Sequence, residues 1–128
     1  MSAPLYQPRL PRGWWLAHGG YRRYMLRELS CIPIGLFAAT LVLALFRLGQ
    51  GADAWLAFRA ALATPPAIAW QVIALGFALY HSVSWFTLAP RTMPMVVGDR
   101  KVPPAWIAAA HFVLWLALSL AILLIVGA

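Results

Sequence analysis

Few side chains in the long apolar stretches of this 128-residue chain can do acid–base or hydrogen-bonding chemistry, so each one needs a reason to be there. Glu28 is the only acidic residue within or at the edge of such a stretch, directly after Arg27. A carboxylate in that place can accept a proton from a bound acid. It can equally serve as the ion-pair partner of Arg27 at headgroup level. Further on, His81-Ser82-Val83-Ser84-Trp85 sets an imidazole and an indole four residues apart, on one face of a helix, with Ser84 at i+3. That combination makes a flat apolar slot with hydrogen-bonding groups. It also suits a histidine that simply bonds to a neighbouring helix. His111 is a third polar residue in apolar surroundings. Groups of this kind are costly in lipid and face protein, water or a ligand.

The elements that must position them follow from composition. Apolar residues make up 63% of the chain and charged ones 10%, and ten basic against three acidic residues give +7 with His neutral. The mean hydropathy is +0.78. These values exclude disorder, a disulfide-built module (there is one Cys) and a large soluble catalytic domain. The positive charge is not spread as a basic stripe on a polar fold. It flanks apolar spans, where it sets orientation, so no nucleic-acid partner is implied. Three stretches can cross a bilayer, for which about 17–25 apolar residues suffice. Because lipid offers the backbone no hydrogen-bond partner, they must be helices.

The predicted fold is all-α: an integral membrane three-helix antiparallel bundle, forming a single anchor domain over residues 1–128. An N-terminal segment (1–20) precedes helix one (21–48), an amphipathic interfacial helix (53–63), helix two (67–89) and helix three (105–126). Pro33 lies inside helix one and predicts a kink there. Pro65-Pro66 and Pro103-Pro104 sit where helices two and three begin, and Pro90 stops helix two. In the first loop Asp53 is placed to cap the short helix, whose Trp55, Phe58 and Leu62 share a face suited to the membrane interface. Trp14, Trp15 and Trp106 are candidate interface anchors. Gly35 and Ala39 would allow a close helix contact.

Counting basic residues by side gives the direction. Arg9, Arg12, Arg22, Arg23, Arg27, Arg91, Arg100 and Lys101 fall on one side, and Arg47 and Arg59 on the other. The positive-inside rule then puts the N-terminus in the cytoplasm and the C-terminus outside. At 1.5 Å per residue, His81 lies about 12 Å and His111 about 10 Å inside the cytoplasmic ends of their helices. Two histidines at one depth on adjacent helices are the simplest haem b arrangement, which stands as an alternative. His18 lies in a Gly-flanked loop, and Cys31 behaves as a small buried apolar residue. No CxxC, CxxCH, HExxH or P-loop pattern occurs.

Trp14-Trp15, Tyr24-Met25-Leu26-Arg27-Glu28, Pro33, and His81 followed by Trp85-Phe86 and Leu88-Ala89-Pro90 together resemble the C subunit of bacterial fumarate reductase, a hydrophobic membrane anchor. The likeness extends over nearly the whole chain. It implies a membrane anchor that is inactive alone. With a second hydrophobic anchor (the D-type subunit), such a protein holds an iron–sulfur subunit and a flavoprotein subunit on the cytoplasmic face of the bacterial inner membrane. It also implies a shared menaquinol oxidation site, with Arg27, Glu28, His81 and Trp85 lining the quinone pocket and Glu28 as catalytic proton acceptor. FAD and iron–sulfur clusters would then belong to partner subunits only, menaquinone/menaquinol would be the shared ligand, and no haem or other metal would be held. The competing possibilities are a haem b-binding anchor of a succinate:quinone oxidoreductase, with His81 or His111 as axial ligand, and a purely structural anchor without quinone contact. A transporter fits poorly, because the outer halves of the spans are nearly bare of ionisable groups.

Overall fold

The computed structural model describes residues 11–127; Arg9, counted above for the orientation, lies outside them. A single 3-10 turn, Trp14–Leu16, leads into α1 (Gly19–Leu29) and α2 (Cys31–Gly49). Then come α3 (Ala52–Leu62), α4 (Pro65–Thr92), a two-residue-strand hairpin (β1, Val96–Val97; β2, Arg100–Lys101) and α5 (Pro104–Gly127). Three helical units are long and apolar enough to cross a membrane: Gly19–Gly49, Pro65–Thr92 and Pro104–Gly127. The fold is all-helical apart from the hairpin.

The first span is broken, one turn earlier than Pro33 itself. Pro33 has no N–H to offer the carbonyl of Leu29, and its ring crowds that preceding turn. The hydrogen-bond ladder is therefore interrupted at Ser30, between α1 and α2, while its backbone stays in the right-handed helical region. Pro90, by contrast, does not end α4, which continues to Thr92. The last turn survives the missing N–H because Met93 N–H donates to the Ala89 carbonyl at 2.9 Å. The Thr92 hydroxyl donates to the same carbonyl at 3.2 Å. Asp53 is not the cap of α3. Gly51, at φ 106°, turns the chain into the helix, and Asp53 lies in the first turn, where its charge complements the helix dipole.

The short α3 keeps its aromatic face inward. Trp55 and Phe58 stack with ring centroids 6.0 Å apart. Gln71 of α4 donates to the Leu62 carbonyl at 2.9 Å, tying the end of α3 to the start of the second span. In the opposite loop, Gly98 at φ 59° supports the tight turn of the hairpin, in which Val96 faces Lys101 and Val97 faces Arg100. Gly98-Asp99 forms the turn between the two strands.

α4 is the middle of the array. It packs against α2 and against α5, while the backbones of α2 and α5 do not approach each other. The bundle is thus open, and among the described residues the buried apolar ones are few: Pro33, Ala74 at 3% and Ile107 at 5% exposure. Gly35 and Ala39, placed by sequence at a close helix contact, are exposed instead. It is Ala74 of α4 that takes the tight position. Large apolar side chains such as Leu45, Ile125 and Val126 point outward, as they do where the surrounding medium is itself apolar.

Candidate functional site

The break at Ser30 and the course of α4 bring the predicted residues to one end of the first two spans. Ser30 is completely buried. Its hydroxyl donates to the carbonyl of Arg27, closing the last turn of α1. The same oxygen lies 2.8 Å from His81 Nδ1 on α4. A serine has one hydroxyl proton. The tautomer of His81 sets the direction of this contact: where Ser30 gives its proton to Arg27, His81 Nδ1–H donates to Ser30 Oγ. In the neutral ring, Nε2 is then left as a hydrogen-bond acceptor.

One turn further along α4, Trp85 tilts against His81 with ring centroids 6.1 Å apart. Trp85 also takes the guanidinium of Arg27 over its face, 5.1 Å from the ring centre, while Tyr24 flanks that guanidinium at 5.5 Å. Arg27 Nε is 3.8 Å from a Glu28 carboxylate oxygen. That separation is too long for a hydrogen bond, and Nε is buried without a hydrogen-bond partner. The Arg27 side chain is 17% exposed and that of Glu28 42%. The pair is therefore neither a fully solvated surface bridge nor a closed one. Arg27, Glu28, His81 and Trp85 form a connected row, with Glu28 linked through Arg27 and His81 through Trp85.

A family model described as the C subunit of fumarate reductase matches residues 3–127. The chain belongs to this fumarate reductase anchor family. It is similar to the fumarate reductase C subunit of Mycobacterium tuberculosis (strain CDC 1551 / Oshkosh), at 40% identity over 119 residues, 93% of each chain. It is also similar to that of Citrobacter koseri, at 40% over 91 residues, covering 71% of this chain and 70% of the relative. The Salmonella schwarzengrund protein of the same name is 38% identical over 91 residues. The resemblance found in the sequence motifs is thereby established, and with it a membrane anchor that works within a complex of other subunits.

His111 of this fumarate reductase anchor is not part of the row. Its Nδ1 lies 2.7 Å from the Ile107 carbonyl of its own helix, and its ring packs on Phe86 at 5.6 Å. His81 and His111 thus turn to different neighbours. His18 packs on Tyr21 at 5.7 Å. Cys31, expected to be buried, is exposed to the surroundings of the span. Among the described residues no group of three or more His, Cys, Asp or Glu side chains could hold a metal ion. Sequence reasoning missed Ser30, the residue that orients His81, and Tyr80, whose hydroxyl donates to the Arg23 carbonyl at 3.2 Å and fastens α4 to α1. The available signal for Ser30 was a polar side chain one turn before a proline inside a span.

Proposed function

We propose that this anchor helps to bind menaquinol and to remove its protons while electrons pass to an iron–sulfur subunit. The observation that carries the proposal is the row itself on α1 and α4, in which the His81 ring is held at Nδ1 by Ser30 and tilts against Trp85, and Trp85 in turn carries the Arg27 guanidinium beside Glu28. A quinol headgroup is flat and carries one hydroxyl at each end. The row offers it an aromatic face in Trp85, an acceptor in His81 Nε2, a donor in Arg27 and a proton-accepting carboxylate in Glu28. The residues present therefore fit the group. Each quinol oxidised releases two electrons and two protons. Glu28, 42% exposed and next to a cation, is placed to take a proton and pass it to water. Arg27, flanked by two aromatic rings, sets a positive charge beside that carboxylate.

The rest of the reading follows from this role. The second hydrophobic anchor, the iron–sulfur subunit and the flavoprotein supply the remaining walls of the site, the FAD and the iron–sulfur clusters. The location is the bacterial inner membrane, with the N-terminus and the hairpin loop cytoplasmic, which the division of basic residues supports. The separate engagement of His81 and His111 supports an anchor without haem.

The test is Glu28→Gln in the intact complex. A positioned acid–base group contributes roughly 10²–10⁴-fold, so menaquinol-driven fumarate reduction is expected to collapse. Dye-driven fumarate reduction, which bypasses the quinol site, is expected to persist. Quinol turnover within about twofold of the unmodified complex would refute the acid–base role. Loss of dye-driven activity as well would make Glu28 an assembly residue paired with Arg27.

A further inference from the structure

A second site adjoins the row and shares only Arg27 with it. A cleft of about 400 Å³ opens between α1 and α4, and three arginines line it: Arg23, Arg27 and Arg91. The hydroxyl-bearing side chains of Tyr24, Ser84 and Thr87 line it too, and no carboxylate does. Directly beyond it lies an apolar groove of about 300 Å³, walled by Leu26, Ile73, Gly76 and Phe77. Tyr80 belongs to both cavities. On α4 the lining residues Ile73, Phe77, Tyr80, Ser84, Leu88 and Arg91 step by three or four, so cleft and groove form one continuous stripe. From Tyr80 to Ile73 the groove descends about 10 Å along the helix, which keeps it within one leaflet of a hydrocarbon layer about 30 Å thick.

We infer that this stripe is a binding site for one anionic phospholipid, its phosphodiester in the three-arginine cleft and an acyl chain along the groove toward Ile73. Charge decides the occupant. Guanidinium forks match phosphate oxygens, and basic pockets at the ends of membrane helices select anionic headgroups. A quinol ring is neutral and gives three arginines nothing to neutralise. The groove continues from the cleft toward the middle of the span, as a lipid tail continues from its headgroup. Gly76 leaves room for it: a Cβ built there meets no atom within 4 Å. The inference shares Arg27 with the quinol proposal but does not rest on it, and its test leaves that residue untouched.

The shared chemistry is a phosphate monoanion, which a lipid headgroup or free phosphate could supply. The intact complex, stripped with detergent, is offered phosphatidylglycerol, phosphatidylcholine or inorganic phosphate, and the retained molecules are counted by native mass spectrometry. The expected result is retention of phosphatidylglycerol in preference to phosphatidylcholine, not competed by inorganic phosphate. The double variant Arg23→Gln/Arg91→Gln should weaken retention by about thirtyfold, at the usual worth of two basic groups near an anionic headgroup. Gly76→Trp should weaken it with no change of charge, by filling the groove. Bound menaquinone should be the same in all three proteins, and dye-driven fumarate reduction should show each complex to be whole. Equal retention in the variants, or none on the unmodified complex, overturns the inference. Competition by inorganic phosphate would mean a phosphate site without a lipid. Loss of menaquinone in Gly76→Trp would assign the groove to the quinol tail. Loss of dye-driven activity in both variants would make the stripe an assembly contact.

Discussion

Ser30→Ala is the most informative single change, because Ser30 touches no substrate and acts through His81. The variant removes the acceptor 2.8 Å from His81 Nδ1 at a position with no exposure to solvent. His81 Nδ1 then faces a buried position that offers it no partner, at a cost of about 1–3 kcal/mol, unless the ring changes tautomer or turns. Either escape displaces the free acceptor from Nε2. If about 1–2 kcal/mol of the lost positioning is felt when quinol reacts, kcat/KM for menaquinol falls about 5- to 30-fold. The assay is quinol-driven fumarate reduction by the intact complex, with the dye-driven reaction as control. The decisive comparison adds His81→Ala and the double variant. If Ser30 works only by orienting His81, Ser30→Ala should change little once His81 is gone, and the two effects should be strongly non-additive. A quinol rate within about twofold of the parent would refute the reasoning. So would a full additional loss in the His81→Ala background, which would make Ser30 a packing residue of the helix break.

Replacing Trp85 by Leu removes one of the two faces that hold the Arg27 guanidinium, a contact of about 0.5–2 kcal/mol, and should raise the quinol KM several-fold more than it lowers kcat; Trp85→Phe should keep most of the affinity. Equal behaviour of the Leu and Phe variants would rule out the stacking role. Reduced-minus-oxidised spectra of the purified complex are expected to show no b-type band that depends on His81 or His111; a stoichiometric band abolished by changing either one would reverse this. A C-terminal alkaline phosphatase fusion is expected to be active, because eight of the ten basic residues fall on the side of the N-terminus and the hairpin. An inactive fusion would invert the topology.

The sequence by itself determined the fold class, the three spans and the family. Apolar composition over stretches of bilayer length forces helices, since only a helix satisfies its own backbone groups in lipid. The residues of the candidate site were also legible, because polar side chains inside a span are rare enough to be conspicuous. Tertiary structure alone decided how they meet. Ser30 and His81 are 51 positions apart, and nothing periodic in either helix fixes their relative rotation. That rotation is fixed only in the packed molecule, where Ser30 is buried against His81 and the small Ala74 of α4 is buried beside Ile34 and Phe37 of α2. The same reason accounts for the misplaced expectations. Gly35 and Ala39 had the right spacing for a contact, yet neither is used in the packing. Lipid rewards every apolar face of a span alike, so local pattern shows that a helix crosses the membrane but leaves the choice of face to its neighbours.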